Sequence, residues 1–124
     1  MARVLVIADL HLPATHPEYY NFIKKLKRKY KTTHNIFIGD VVDHHAISFH
    51  KKNPEAHSAL AEYKAVQDGL KKWKGLLPYG QVMIGNHDER VNRLNAEVGI
   101  PPVYLKDYEE VWDTPTWSWE YVTC

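Results

Sequence analysis

A single cysteine, Cys124, stands at the last position of the 124 residues. It has no partner for an internal disulfide and says nothing against a reducing compartment. No uninterrupted apolar run approaches the ~18 residues that a membrane-spanning helix requires, and the apolar opening VLVIA is too short for a signal peptide. These absences predict a cytoplasmic protein with no membrane partner. A Gly/Ser linker, an internal repeat and low-complexity sequence are missing too, so residues 1–124 read as a single domain. A composition 44% hydrophobic, 12% aromatic and 25% charged excludes disorder, collagen and coiled coil. Net charge is only +1, but its distribution is uneven. Residues 1–74 carry 13 Lys and Arg against 7 Asp and Glu, or +6, and residues 75–124 carry 3 against 8, or −5. The asymmetry is either scatter or a basic face for a phosphate-rich substrate.

What the chain does have is a rhythm. Arg3 to Ala8, Asn35 to Ile38 and Gln81 to Ile84 are short, apolar and rich in β-branched residues, the pattern of strands buried on both faces. Helical patterns separate them. The first has Thr15 as candidate N-cap with Glu18 three residues on, and places Tyr19, Phe22, Ile23, Leu26 and Tyr30 on one face with a lysine-rich run on the other. The second begins at Asn53 and Pro54, repeats Ala56, Leu60, Tyr63, Val66, Leu70 and Trp73, and stops at Gly75. The third runs from about Asp88 through Val91, Leu94 and Val98 to Gly99. This βαβαβα order predicts a three-layer α/β unit with mainly parallel strands and right-handed crossovers. In residues 103–124, Trp112, Trp117, Trp119, Tyr121 and Val122 suggest an extended strand or hairpin whose large rings must cover something, either a core or a partner.

Each of the three apolar strands ends in a polar cluster. Asp9 and His11 follow the first, Gly39, Asp40 and Asp43 the second, and Gly85, Asn86, His87 and Asp88 the third. Ligands of open α/β sheets bind outside the carboxyl ends of the strands, so three distant segments are expected at one edge. Carboxylates, imidazoles and an amide oxygen without thiolate suit Mn²⁺, Fe or Zn²⁺. Gly39 and Gly85 fit a need for close backbone approach or positive φ. Without cations, Asp9, Asp40, Asp43 and Asp88 would repel one another and raise each other's pKa.

In order and separation, Asp9-Leu-His11, Gly39-Asp40-Val-Val-Asp43 and Gly85-Asn86-His87-Asp88 resemble the first three signature blocks of the calcineurin-like metallophosphoesterases. The stretch GDVVDHHAISFH is similar to the second block of short bacteriophage members. The resemblance implies a hydrolase acting on a phosphomonoester or phosphodiester, nucleic acid included, with water activated at a dinuclear metal centre. Asp9 and His11 would bind the first metal, Asp40 would bridge both, and Asn86 would bind the second, with Mn²⁺ the leading candidate and Fe or Zn²⁺ behind it. His87 would stabilise the transition state or protonate the leaving oxygen, and Asp88 would orient it. Asp43 would stand behind the ligands, holding a histidine.

The chain also departs from the family. No histidine follows His87, whereas the family adds one after the third block and then a G-H-x-H block. One site is thus expected to be well formed and the second incomplete. The family fold is a sandwich of two sheets flanked by helices, so the chain reads as a partial metallophosphoesterase fold, truncated at the C-terminus, with the second sheet largely missing. The expectation is a metal-dependent phosphoesterase impaired on its own. The alternative is an inactive half-domain or metal-binding module that needs a partner. A C-terminal half or second chain would then supply histidine ligands and bury Trp112, Trp117 and Trp119. His44, His45, His50 and His57 are substitutes for the missing ligands or loop residues, and His16 and His34 read as surface. The run Lys24 to Lys31 is a solvated helix face or a contact to nucleic-acid phosphates.

Overall fold

A computed structural model describes residues 1–48 and 58–121. Its elements in order are β1 (Val4–Ile7), α1 (Tyr19–Tyr30), β2 (His34–Phe37), a 3₁₀ turn (His45–Ile47), α2 (Ala59–Leu76), β3 (Gly80–Met83), α3 (Arg90–Glu97), a second 3₁₀ turn (Pro102–Tyr104), α4 (Tyr108–Val111) and β4 (Trp117–Glu120). The four strands form one sheet in the order β1-β2-β3-β4, every pair parallel. The expected α/β architecture is present, with a fourth parallel strand where the sequence suggested a strand or hairpin. β4 follows two short helical turns, and only its alternation of Trp117 and Trp119 with Ser118 and Glu120 announces it.

The strand order explains which surface is core. Right-handed crossovers that always step the same way along a sheet put their helices on the same side of it. That side holds Leu5, Ile7, Phe37, Val82, Trp117 and Trp119 from the strands against Ile23 of α1 and Val66, Leu70 and Trp73 of α2. The edges of Tyr19 and Tyr20 meet the Trp73 ring at centroid distances of 5.8 and 5.3 Å, and Phe37 lies against Trp117 at 4.5 Å. The opposite side is open: Val4, Val6 and Ile38 remain 50%, 54% and 53% exposed. The expected burial on both faces and third layer are therefore not met among the described residues. The tryptophans are corrected in the other direction. Trp112, Trp117 and Trp119 lie in the chain's own core, the first two 2% and 1% exposed, and await no incoming sheet.

Local signals also shift. Thr15 caps no helix; its hydroxyl donates to the Leu10 carbonyl at 2.6 Å, and α1 starts at Tyr19 without a side-chain cap. On α1, Phe22 and Tyr30 are exposed while Tyr20 packs inward. The start of α2 at Asn53 and Pro54, Ala56, and the residues His50, His57, Val122 and Cys124 lie outside the described residues. The described helix begins after Ser58, whose side chain accepts from the Ala61 N–H at 3.2 Å. It runs through Gly75 to Leu76, Leu77 N–H closing it on Trp73 O at 2.8 Å. Leu60 points to solvent and Glu62 inward, because the Glu62 carboxylate accepts from the N–H groups of His45 and Ala46 at 2.9 and 3.3 Å. α3 starts at Arg90 rather than Asp88 and stays superficial, with Val91 and Val98 exposed; Gly99, at φ +81°, ends the segment.

Candidate metal centre

The loops that leave β1 and β2 do not diverge where the strands end. His11 N–H donates to Asp40 O and Leu12 N–H to Val41 O, both at 2.9 Å, and Asp43 N–H returns to Leu12 O at 2.9 Å. This second ladder keeps His11 beside Asp40 and Asp43. The loop after β3 is tied in by carboxylates: Asp40 Oδ1 accepts from His87 N–H at 2.9 Å, and Asp88 accepts from Val42 N–H at 3.0 Å and Gly85 N–H at 2.9 Å. Tyr19 OH donates to Ala8 O and accepts from Ala8 N–H, at 2.9 and 3.1 Å, which holds the chain one residue before Asp9.

Holding these side chains together strains the backbone. Asp9, His11, Asp40 and His44 take φ values of 51°, 48°, 53° and 52°, the left-handed region that costs an L-residue on the order of 1–3 kcal/mol. Gly39, at φ +109°, occupies the same half of the map, as its position before Asp40 suggested. Gly85 is there for space. A Cβ on it would lie 2.5 Å from both Asp40 N and Asp40 Oδ1.

The result is two overlapping groups whose ligand atoms lie within 4.8 Å of one another: Asp9, His11 and Asp40, and His11, Asp43 and His87. His11 Nδ1–H donates to Asp43 Oδ1 at 3.0 Å, so its Nε2 lone pair is left facing Asp9 Oδ1 and Asp40 Oδ2, each 4.0 Å away. Ligand atoms bound at about 2.0–2.2 Å stand up to roughly twice that distance apart. The three donors therefore fit one divalent ion, with the carboxylate behind the histidine that such sites characteristically use. Asp43 holds a second imidazole as well: His87 Nδ1–H donates to Asp43 O at 2.8 Å and lies 3.4 Å from its Oδ1. The His11 and His87 rings meet edge to face, 4.8 Å apart.

Asp88 has a different place from the one expected of it. It is buried, and it clamps the loops after β2 and β3 through Val42 and Gly85; the groups that orient His87 belong to Asp43. Burial, more than repulsion from Asp40, pushes the Asp88 carboxyl up to about 6. Asn86 sits exposed in the turn after β3, its backbone carbonyl taken by Arg93 at 2.7 Å. Arg90 was not legible as part of the site. Its guanidinium donates to the carbonyls of Asp43 and His44 at 3.1 and 3.0 Å, its only sequence signal being a cation three residues after His87. Burial and then the Arg90 charge push His44 down to about 4, so at neutral pH its ring is uncharged. His44 and His45 belong to neither ligand group. The basic run is far from all of this. Arg3, at the start of β1, donates to Tyr30 O at the end of α1, which puts the last turn of α1 at the strand edge opposite the site.

Strained acidic loops at the carboxyl edge of a parallel sheet, with a carboxylate-backed histidine among them, make a candidate divalent-metal site on an α/β fold. The model of the calcineurin-like phosphoesterase family matches residues 2–123, and the chain belongs to that family of hydrolases. Its four parallel strands and helices are consistent with part of that family's fold. No curated protein and no solved structure matches the chain.

Proposed function

We propose that the chain hydrolyses phosphomonoesters or phosphodiesters with divalent metal held by Asp9, His11 and Asp40. The observation that carries this reading is the convergence of those three donors within 4.8 Å, from loops 31 positions apart in sequence (40 − 9). Bound there, a divalent ion supplies Lewis-acid polarisation of a phosphoryl oxygen and acidifies water. Mn²⁺ suits the mixed O/N donor set, and Fe or Zn²⁺ are the alternatives. Asp40 and Asn86 hold a second ion less completely, since they supply two protein donors against three.

The chain's own groups do the rest. Asp43 fixes His11 with Nδ1–H inward, and so presents Nε2. It fixes His87 the same way, which leaves His87 Nε2 free to carry a proton to the oxygen of a departing alcohol. Arg90, donating to the Asp43 carbonyl, holds that loop against α3. Turnover by the chain alone would be slow, because among the described residues the second ion would be held by fewer donors than the first. A second reading, a metal-binding module completed by a polypeptide that supplies histidines, is favoured by the apolar side of the sheet on which Val4, Val6 and Ile38 stand half exposed.

Calorimetric titration of the metal-free chain with Mn²⁺, read beside hydrolysis of bis-p-nitrophenyl phosphate, tests the proposal. One tight equivalent, lost in Asp40→Asn together with any hydrolysis, is expected. Two tight equivalents would refute the ligand count, and Mn²⁺-dependent hydrolysis insensitive to Asp40→Asn would refute the site.

A further inference from the structure

Next to the acidic cluster lies a cavity of about 200 Å³. The same two loops build both. Asp43 and His87 belong to the cluster, and the residue after each, His44 and Asp88, lines the cavity. Tyr104, Tyr108 and Trp112 line it with Val91 of α3, and Asn92 and Lys106 add polar groups to a lining that is mainly apolar. The aromatic walls are braced from behind: Tyr63 stacks on Trp112 at 5.3 Å and Trp119 on Tyr108 at 5.5 Å, the latter pair 10° from parallel. The Tyr63 hydroxyl also donates to Val111 O at 2.9 Å, which ties α4 to α2.

Flat apolar walls beside a phosphoester centre select what is attached to the phosphorus. Pockets for drug-sized ligands run from roughly 300 to 1,000 Å³, so this one has room for a single ring and none for a stretch of oligonucleotide. Aromatic faces favour an aromatic ring over an aliphatic chain, through stacked and edge-to-face contacts. We propose that the cavity bounded by His44, Val91, Tyr104, Tyr108 and Trp112 is a leaving-group subsite that seats one aromatic ring of the phosphoester whose phosphoryl group sits at Asp9, His11 and Asp40. This rests on the phosphoesterase reading and adds a substrate class to it, an ester of an aromatic or nucleoside alcohol.

The subsite can be tested without turnover. In the metal-free chain, p-nitrophenol and uridine are titrated while the Trp112 indole N–H is followed by NMR, with cyclohexanol as the aliphatic control. A saturable shift with either aromatic probe and none with cyclohexanol is expected. Tighter p-nitrophenol binding marks a simple aryl group, and tighter uridine binding a pyrimidine nucleoside. Val91→Phe, at an exposed position of α3, fills the cavity and should weaken the aromatic probe roughly tenfold, about the scale of losing one ring contact. Tyr104→Ala, also exposed, should weaken it without filling anything. Neither variant should change Mn²⁺ binding. No saturable shift with either aromatic probe, or equal binding by Val91→Phe, would overturn the subsite and leave the metal reading standing. Ring binding by a chain that takes up no Mn²⁺ would overturn the leaving-group assignment, since the phosphoryl half would have no place to sit.

Discussion

Gly85→Ala isolates the geometric core of the site, because the added methyl meets the residue on which the metal assignment depends. Its Cβ would stand 2.5 Å from Asp40 N and Asp40 Oδ1 and 3.1 Å from Asp40 Cγ. Asp40 is fixed through both side chain and backbone: Oδ1 accepts from His87 N–H at 2.9 Å, and the Asp40 carbonyl accepts from His11 N–H at 2.9 Å. Something must move by several tenths of an ångström or more. If Asp40 moves, the charge-assisted bond to His87 is lost and Oδ2 leaves His11 Nε2. Overpacking of this kind costs about 1–3 kcal/mol, and a hydrogen bond to a charged group contributes about 1.5–3 kcal/mol. The metal-free variant should therefore lose roughly 2.5–6 kcal/mol in urea denaturation. Its Mn²⁺ affinity should fall about 10–100-fold, the scale on which displaced supporting groups act. Gly75→Ala is the internal control. It lies within α2, where an added methyl would meet nothing inside 4 Å, so it should stabilise the chain by about 0.4–1 kcal/mol. Wild-type stability and Mn²⁺ affinity in Gly85→Ala would refute the claim that Asp40 is held against that glycine.

Asp43→Asn should weaken Mn²⁺ binding about 10–100-fold by calorimetry, since His11 loses the carboxylate that fixes its tautomer; an unchanged Kd would remove Asp43 from the site. Asp88→Asn leaves one oxygen acceptor for the two N–H groups of Val42 and Gly85 and should cost about 1–3 kcal/mol in urea, whereas a neutral effect would deny the clamp. The pH dependence of the metal-free chain combines two opposite shifts. Asp88 is raised from 3.8 to about 6, so its contribution is full below the unfolded value and declines as pH rises towards 6. His44 is lowered from 6.5 to about 4, so its contribution is full above 6.5 and declines as pH falls towards 4. Between roughly pH 4 and 6 the two slopes oppose, and His44→Asn, suited to a residue at positive φ, should unmask a stability that falls by up to about 1.4 kcal/mol per pH unit as pH rises. A stability that instead rises with pH in that variant would contradict the Asp88 assignment.

The convergence of the site was legible because its signals are local. Asp9, Asp40 and His87 each follow a short β-branched run, and a parallel sheet brings such positions to one edge whatever lies between them. The glycines were legible for the same reason, each standing just before a candidate ligand. The roles within the site were not. That Asp43 rather than Asp88 orients His87 depends on a carbonyl at the end of a different loop, and no spacing along the chain reports it. Glu62 reads as one more charge on an amphipathic helix until the N–H groups of His45 and Ala46 are found above it. Thr15 and Gly75 misled because caps are weak preferences that tertiary contacts override.

The open side of the sheet follows from topology, and periodicity alone misreads it. Val4, Val6, Ile36, Ile38 and Met83 are apolar in sequence, and a strand apolar on both sides normally means cover on both sides. With strand order β1-β2-β3-β4, every right-handed crossover lands on the face that holds Ile7, Phe37 and Val82, so α1 and α2 cannot reach the other. The tryptophans respond to the same constraint. With the helices confined to one side, β4 needs large side chains on that side alone, and Trp117 and Trp119 face inward while Ser118 and Glu120 face out. Trp117 Nε1–H donates to Leu77 O and Trp119 Nε1–H to Thr114 Oγ1, both at 2.8 Å, which lets these rings be buried without leaving a polar atom unpaired. β4 thereby fixes β3 from its far edge, and β3 carries the turn from Gly85 to Asp88. The aromatic segment that ends in β4 thus helps support the candidate metal centre, although none of its described residues belongs to either ligand group.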